Sequence, residues 1–94
     1  MSNADTPRHE IGGIYSDGAD LVLVVDIRDR TFGFFVDHWR YDSFEGTIKR
    51  CETVESALGG LELVGRELEP ESLDESQARG LLRAVHARLE VAQP

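Results

Sequence analysis

Asp37-His38-Trp39-Arg40-Tyr41-Asp42 is the densest run of chemically capable side chains in the chain. A general base needs a histidine or carboxylate with a displaced pKa, held within reach of its substrate. His38, with Asp37, Arg40 and Asp42 nearby, would supply the centre of a small enzyme or ligand-binding domain. Strand geometry argues against it. Neighbouring side chains on a strand point to opposite faces, so Asp37 cannot orient His38 while the strand stays regular. The plainer reading is a strand end with a polar rim, and no catalytic residue is assigned.

Other candidates fail on spacing. Ser16-Asp17-Gly18-Ala19-Asp20 sets two carboxylates beside a glycine, but a calcium loop needs more oxygen ligands and a distal glutamate. It reads as a turn. His9, His38 and His86 are far apart, and Cys51 is the only cysteine. No metal site and no disulfide within the chain is therefore expected. Cys51 has no histidine beside it in sequence and reads as a small core residue. Gly12-Gly13 and Gly59-Gly60 lack the spacing that cradles phosphate, and no serine has a nucleophile-elbow context. No cofactor is expected.

The composition narrows the partners. Ninety-four residues suit one domain, and 40% apolar content in patterned runs suits a folded one. The net charge is −8. Phosphate contacts need clustered Lys and Arg, so direct binding to nucleic acid or to an anionic membrane is not expected. Nor does any stretch approach the ~18 apolar residues of a membrane span. The polar N-terminus has no signal-peptide core, and a cytoplasmic protein is expected. Nine of the ten basic residues are Arg, a bias associated with GC-rich bacterial genomes. Residues 1–10 read as a flexible tail, with Ser2-Asn3-Ala4 resembling a cloning scar, and residues 11–94 as a single domain.

The elements that would position these groups follow from periodicity. Residues 11–15 could form a short strand weakened by two glycines. Leu21-Val22-Leu23-Val24-Val25-Asp26-Ile27 and Thr31-Phe32-Gly33-Phe34-Phe35-Val36 are rich in β-branched and aromatic residues. Separated by three residues, they predict a hairpin. Pairing Ile27 with Phe32, Val25 with Phe34 and Leu23 with Val36 puts all six on one buried face. Val22, Val24, Phe35, Trp39 and Tyr41 then share the opposite face. A third strand over residues 44–51 would pair Arg40 with Glu45 and Trp39 with Gly46.

From Thr53 the period becomes helical, with Thr53 as its cap. Gly59-Gly60 favours a short helix at 54–58 followed by a strand at 61–68, over one continuous helix. A final helix, capped by Ser72 or Asp74 and running to about Val91, carries the stripe Ala78, Leu81, Leu82, Val85 and Leu89. The expected fold is α+β: an antiparallel three- to four-stranded β-meander with a C-terminal amphipathic helix packed on one face.

Two surfaces stand out as partner sites. One is the aromatic back face of Val22, Val24, Phe35, Trp39 and Tyr41, of the kind interfaces enrich. The other is the stretch 52–75, with eight acids against one base. There Glu62, Glu67, Glu69 and Glu71 would steer a basic partner. The expected function is a small acidic non-enzymatic protein-binding module, an adaptor, inhibitor or immunity-type protein, binding a protein partner or a second copy of itself.

Overall fold

β-Branched runs punctuated by Gly and Asp build five strands, and a single amphipathic run builds one helix. The computed structural model describes residues 6–92. Its strands are β1 (Gly13–Ser16), β2 (Asp20–Arg30), β3 (Gly33–Asp42), β4 (Thr47–Val54) and β5 (Glu62–Arg66), followed by helix α1 (Glu75–Ala92). The sheet order is β4-β3-β2-β1-β5, with every neighbouring pair antiparallel. The class is α+β as expected, but the sheet has five strands. The first four form the meander, and β5 crosses to the far side to pair with β1.

The hairpin register departs from the expected one. Strand β2 runs on to Arg30, and only Thr31 and Phe32 lie between Arg30 and its partner Gly33. Ile27 therefore faces Val36, and Asp29 faces Phe34. Phe32 sits at the tip of the turn, 90% exposed. Further along, Val24 pairs with His38 while Asp26 pairs with Asp37, so Val25 is an extra residue, a bulge. A bulge breaks the alternation and turns the following side chains over. Leu21, Leu23 and Val25 pack on the helix side, whereas Ile27 packs with Val22, Val24 and Val36 on the other. The six residues expected on one face are thus divided: Leu23 and Val25 lie on one side, Ile27 and Val36 on the other. The pairing of β3 with β4 is displaced too, with Arg40 opposite Lys49 and Trp39 opposite Arg50.

Helix α1 starts on a reciprocal cap. Asp74 Oδ1 accepts from the Gln77 amide at 2.8 Å, and Gln77 Oε1 accepts from the Asp74 amide at 2.9 Å. Ala78, Leu82 and Val85 are buried against Ile14, Leu21, Leu23, Val25, Trp39 and Tyr41, with Leu81 and Leu89 at the margin. Full burial of a leucine such as Leu82 contributes about 1.5–3 kcal/mol. Beyond the helix footprint the bulge presents charge instead. Arg28 reaches Asp26, Asp37 and Glu52; Arg30 reaches Glu52; Arg50 holds Asp37.

The opposite face buries Tyr15, Val22, Val24, Val36 and Leu58. It is covered by a 3-10 turn at Glu55–Leu58 and by the segment before β1. The sequence places the break at Gly59-Gly60 correctly, and a strand does follow. Thr53, however, lies inside β4 and caps nothing: Val54 holds the cap position and makes no side-chain cap bond.

Candidate functional site

The cluster at 37–42 is divided by the pleat of β3. His38 is fully buried. Its Nδ1 lies 3.0 Å from the Val36 carbonyl, which can only accept, so Nδ1 carries the proton. Nε2 is left as a buried acceptor with no protein partner. Burial away from water holds the His38 pKa below its ordinary value. Asp37 points to the other face, where Arg50 grips it through two bonds of 2.6 and 2.9 Å and lowers its pKa. Arg40 turns to Asp20 at 2.9 Å. Asp42 closes the next turn, accepting the Phe44 and Glu45 amides. Each of the four has its own structural partner, and they converge on no common point.

The expected aromatic face is not a single surface. Val22 and Val24 are buried on the side away from the helix, whereas Trp39 and Tyr41 are buried beneath it. Phe35 is half-buried, with the Arg30 guanidinium 5.7 Å above its ring. Val22, Val24, Trp39 and Tyr41 are thus core residues on two different faces, because the Val25 bulge exchanges the faces midway.

The acidic stretch is mostly exposed, but the fold distributes it over several elements. Glu52 lies on β4 and Glu55 just after it, and both are engaged. Glu52 meets Arg28 and Arg30, and Glu55 takes His9. Asp74 and Glu75 sit at the start of α1, where the helix dipole favours anions. Among the steering residues, Glu62, Glu69 and Glu71 are exposed and make no ion pair among the described residues, while Glu67 is half-buried and accepts the Glu69 amide. The basic residue within this run, Arg66, is held by Glu10.

Glu62 lies on strand β5, whose outer edge has no strand partner among the described residues, while Glu69 and Glu71 lie in the turn that carries the chain from β5 across to β2. Val64 is a second bulge, since Ile14 pairs with Gly65 and Tyr15 with Leu63. Leu63 is 39% exposed and Leu68, just beyond the strand, 96%. On the helix side a shallow groove of about 440 Å³ brings Glu62 together with Asp17, His86 and Glu90. The result is an unpaired backbone edge with apolar side chains beside it and negative charge around it. Among the described residues no group of carboxylates, histidines and cysteine is arranged to hold a metal ion.

One organising residue gave no sequence signal. His9 lies in the segment expected to be a flexible tail, yet it is only 6% exposed. Its amide reaches Glu55 Oε2 at 2.7 Å, its Nδ1 the same oxygen at 2.9 Å, and its Nε2 the Leu58 carbonyl at 2.9 Å. The ring meets Tyr15 edge-on at 4.7 Å. Gly12 continues the strap: its amide donates to Val24 O at 2.8 Å, and its carbonyl accepts Glu67 N–H at 2.7 Å. Residues 9–12 therefore cross the sheet from the end of β4 to the end of β5. A lone histidine in a polar stretch has no periodicity to reveal this. The resemblance to a cloning scar falls on Ser2-Asn3-Ala4, outside the described residues.

No protein-family model, characterised protein or solved structure matches the chain.

Proposed function

We propose that this chain is a small acidic, non-enzymatic protein-binding module that takes a basic, extended segment of a partner protein along β5. The observation that carries the reading is the open β5 edge, with Glu62 and the neighbouring Asp17 and Glu90 carboxylates on its helix side and Leu63 exposed on the other. A strand added to a sheet edge gains main-chain hydrogen bonds, while alternating side chains supply the selectivity. Here one side of such a strand would face the acidic groove and the other Leu63. Lysine or arginine alternating with an apolar residue fits that arrangement. An adaptor or an immunity-type inhibitor of a basic protein would work this way.

The reading centred on His38, with Asp37, Arg40 and Asp42, is less well supported, because His38 has no exposed surface to offer a substrate. Among the described residues no helix is long and apolar enough to cross a membrane, and the lone thiol fits a cytoplasmic setting.

Affinity capture from cells that make the protein tests the reading. The intact chain should retain a basic partner that high salt releases, and a variant combining Glu62→Lys with Glu90→Lys, both on the groove beside β5, should lose it. Retention by both chains, unchanged by salt, would sink the proposal.

A further inference from the structure

The opposite edge of the sheet has a different chemistry. Strand β4 pairs with β3 over all eight of its residues, and its outer edge has no partner among the described residues. A second copy of the chain can add to such an edge antiparallel, about a two-fold axis normal to the sheet. That symmetry keeps each residue on its own face, so facing residues must sit the same distance either side of a central residue.

Few registers satisfy this, and the charges choose among them. Centring on Lys49 sets Lys49 against its own copy. Centring on Arg50 or on Glu52 likewise opposes like charges, which destabilises a cross-strand pair. Centring on Ile48 or Thr53 opposes none but pairs only three residues of β4, whereas centring on Cys51 opposes none and pairs seven. It sets Arg50 against Glu52 and Glu52 against Arg50, Ile48 against Val54 and Val54 against Ile48, and Lys49 against Thr53 in both directions. All of residues 48–54 are then used. Arg50 spends only Nε and Nη2 on Asp37, which leaves further guanidinium donors for a second carboxylate. Glu52 meets Arg28 and Arg30 through Oε2 alone, so Oε1 is open to the approaching Arg50. Val54 is 36% exposed and Ile48 half-buried, and the pairing would cover both.

We propose that the chain pairs with a second copy of itself through β4, in the register centred on Cys51, to form a continuous ten-stranded sheet. The proposal concerns the edge away from β5 and does not depend on the partner assigned there. A dimer built this way leaves both β5 edges free at the far ends.

Size exclusion with light scattering reads the assembly directly. The chain should reach twice the monomer mass as its concentration rises. Arg50→Glu and Glu52→Arg, each of which creates two like-charge pairs per dimer, should each weaken association tenfold or more. The double variant restores opposite signs and should recover the dimer. Circular dichroism and Trp39 fluorescence of each variant establish that the monomer is still folded. Cys51 provides a second readout, since facing residues on paired strands bring their Cβ atoms within ~5.5 Å. Diamide, which accepts the two thiol hydrogens as the disulfide forms, should link two copies through Cys51 in the wild type and far more slowly in Arg50→Glu. Cys51→Ser should remain a dimer. A monomer at every concentration, or a dimer untouched by both single charge reversals, overturns the proposal.

Discussion

The two edges of this sheet differ more than its two faces do. Both faces are apolar and covered, one by α1 and the other by the Glu55–Leu58 turn and the strap at residues 9–12. Strand β4 is eight residues long, evenly paired, and carries Arg50 and Glu52, each engaged with an opposite charge on β3 or β2. Strand β5 is five residues long and bulged at Val64; its Glu62 shares a groove with Asp17 and Glu90, and its one base, Arg66, is held by Glu10. Open edges invite added strands, and natural sheets control that with charge, bulges and brevity. A balanced edge can accept its own copy; an edge of one sign repels its copy and selects the opposite charge. The eight acids of residues 52–75 look like one feature in sequence. Folding separates them: Glu52 and Glu55 are compensated beside β4, Glu62 stands uncompensated on β5, and the others follow the chain away from β5 to the start of α1.

Leu82→Ala should give the largest effect, because α1 supports the part of the sheet that links the two edges. Leu82 is fully buried, and removing it should cost about 2–5 kcal/mol in urea unfolding. Amide exchange should speed up at β4 and β5 alike; a change confined to one of them would mean that the edges do not share a core.

Gly12→Ala should separate them. Gly12 has φ +87°, and an added Cβ would lie 2.3 Å from the Glu67 carbonyl oxygen. Strain and clash together should cost on the order of 1–3 kcal/mol, and exchange should accelerate at β5 while β4 keeps its protection. Equal loosening of both strands would contradict the strap's attachment at Glu67.

Acid should act from the β4 side. His38 faces Cys51 across the β3–β4 pairing, and burial depresses its folded pKa. The unfolded chain, titrating near ~6.5, binds the proton first. The stability that neutral His38 provides is therefore full above ~6.5 and declines as pH falls below it. The depressed Asp37 acts in the same direction at lower pH, over the carboxylate range. Urea unfolding at stepped pH should show the first decline, and His38→Leu should remove it while leaving the second.

Arg50→Ala should have the smallest effect on folding. Its bond to Asp37 is half-exposed, and such pairs are worth about 0.2–1 kcal/mol. A loss well above that in the monomer would mean that the Arg50 guanidinium over the Trp39 ring, 5.1 Å from its centroid, contributes more than exposed pairs usually do.

Much of the architecture is legible where the pattern is local. The hairpin is written in two β-branched and aromatic runs, the break after Leu58 in Gly59-Gly60, and α1 in the stripe Ala78, Leu82, Val85 with its cap at Asp74. What is not legible has one physical origin: a bulge adds one residue with no composition of its own and reverses every later side chain. Val25 does this in β2, so Ile27, Val36 and Trp39 exchange the faces that alternation assigns them. The crossing of β5 to β1 and the docking of His9 on Glu55 and Leu58 join segments about fifty residues apart, and neither leaves a local mark. The acidic run 52–75 is visible in the sequence; its distribution over β4, β5, the turn after β5 and the start of α1 is not.

The docking edge is tested most directly by NMR shift mapping with a short peptide in which lysine alternates with valine. The account predicts that backbone shifts concentrate at Glu62–Arg66, fade in high salt, and disappear when Glu62→Lys and Glu90→Lys are combined. Shifts centred on β4 or on α1, or spread evenly over every exposed carboxylate and indifferent to those two substitutions, would contradict it.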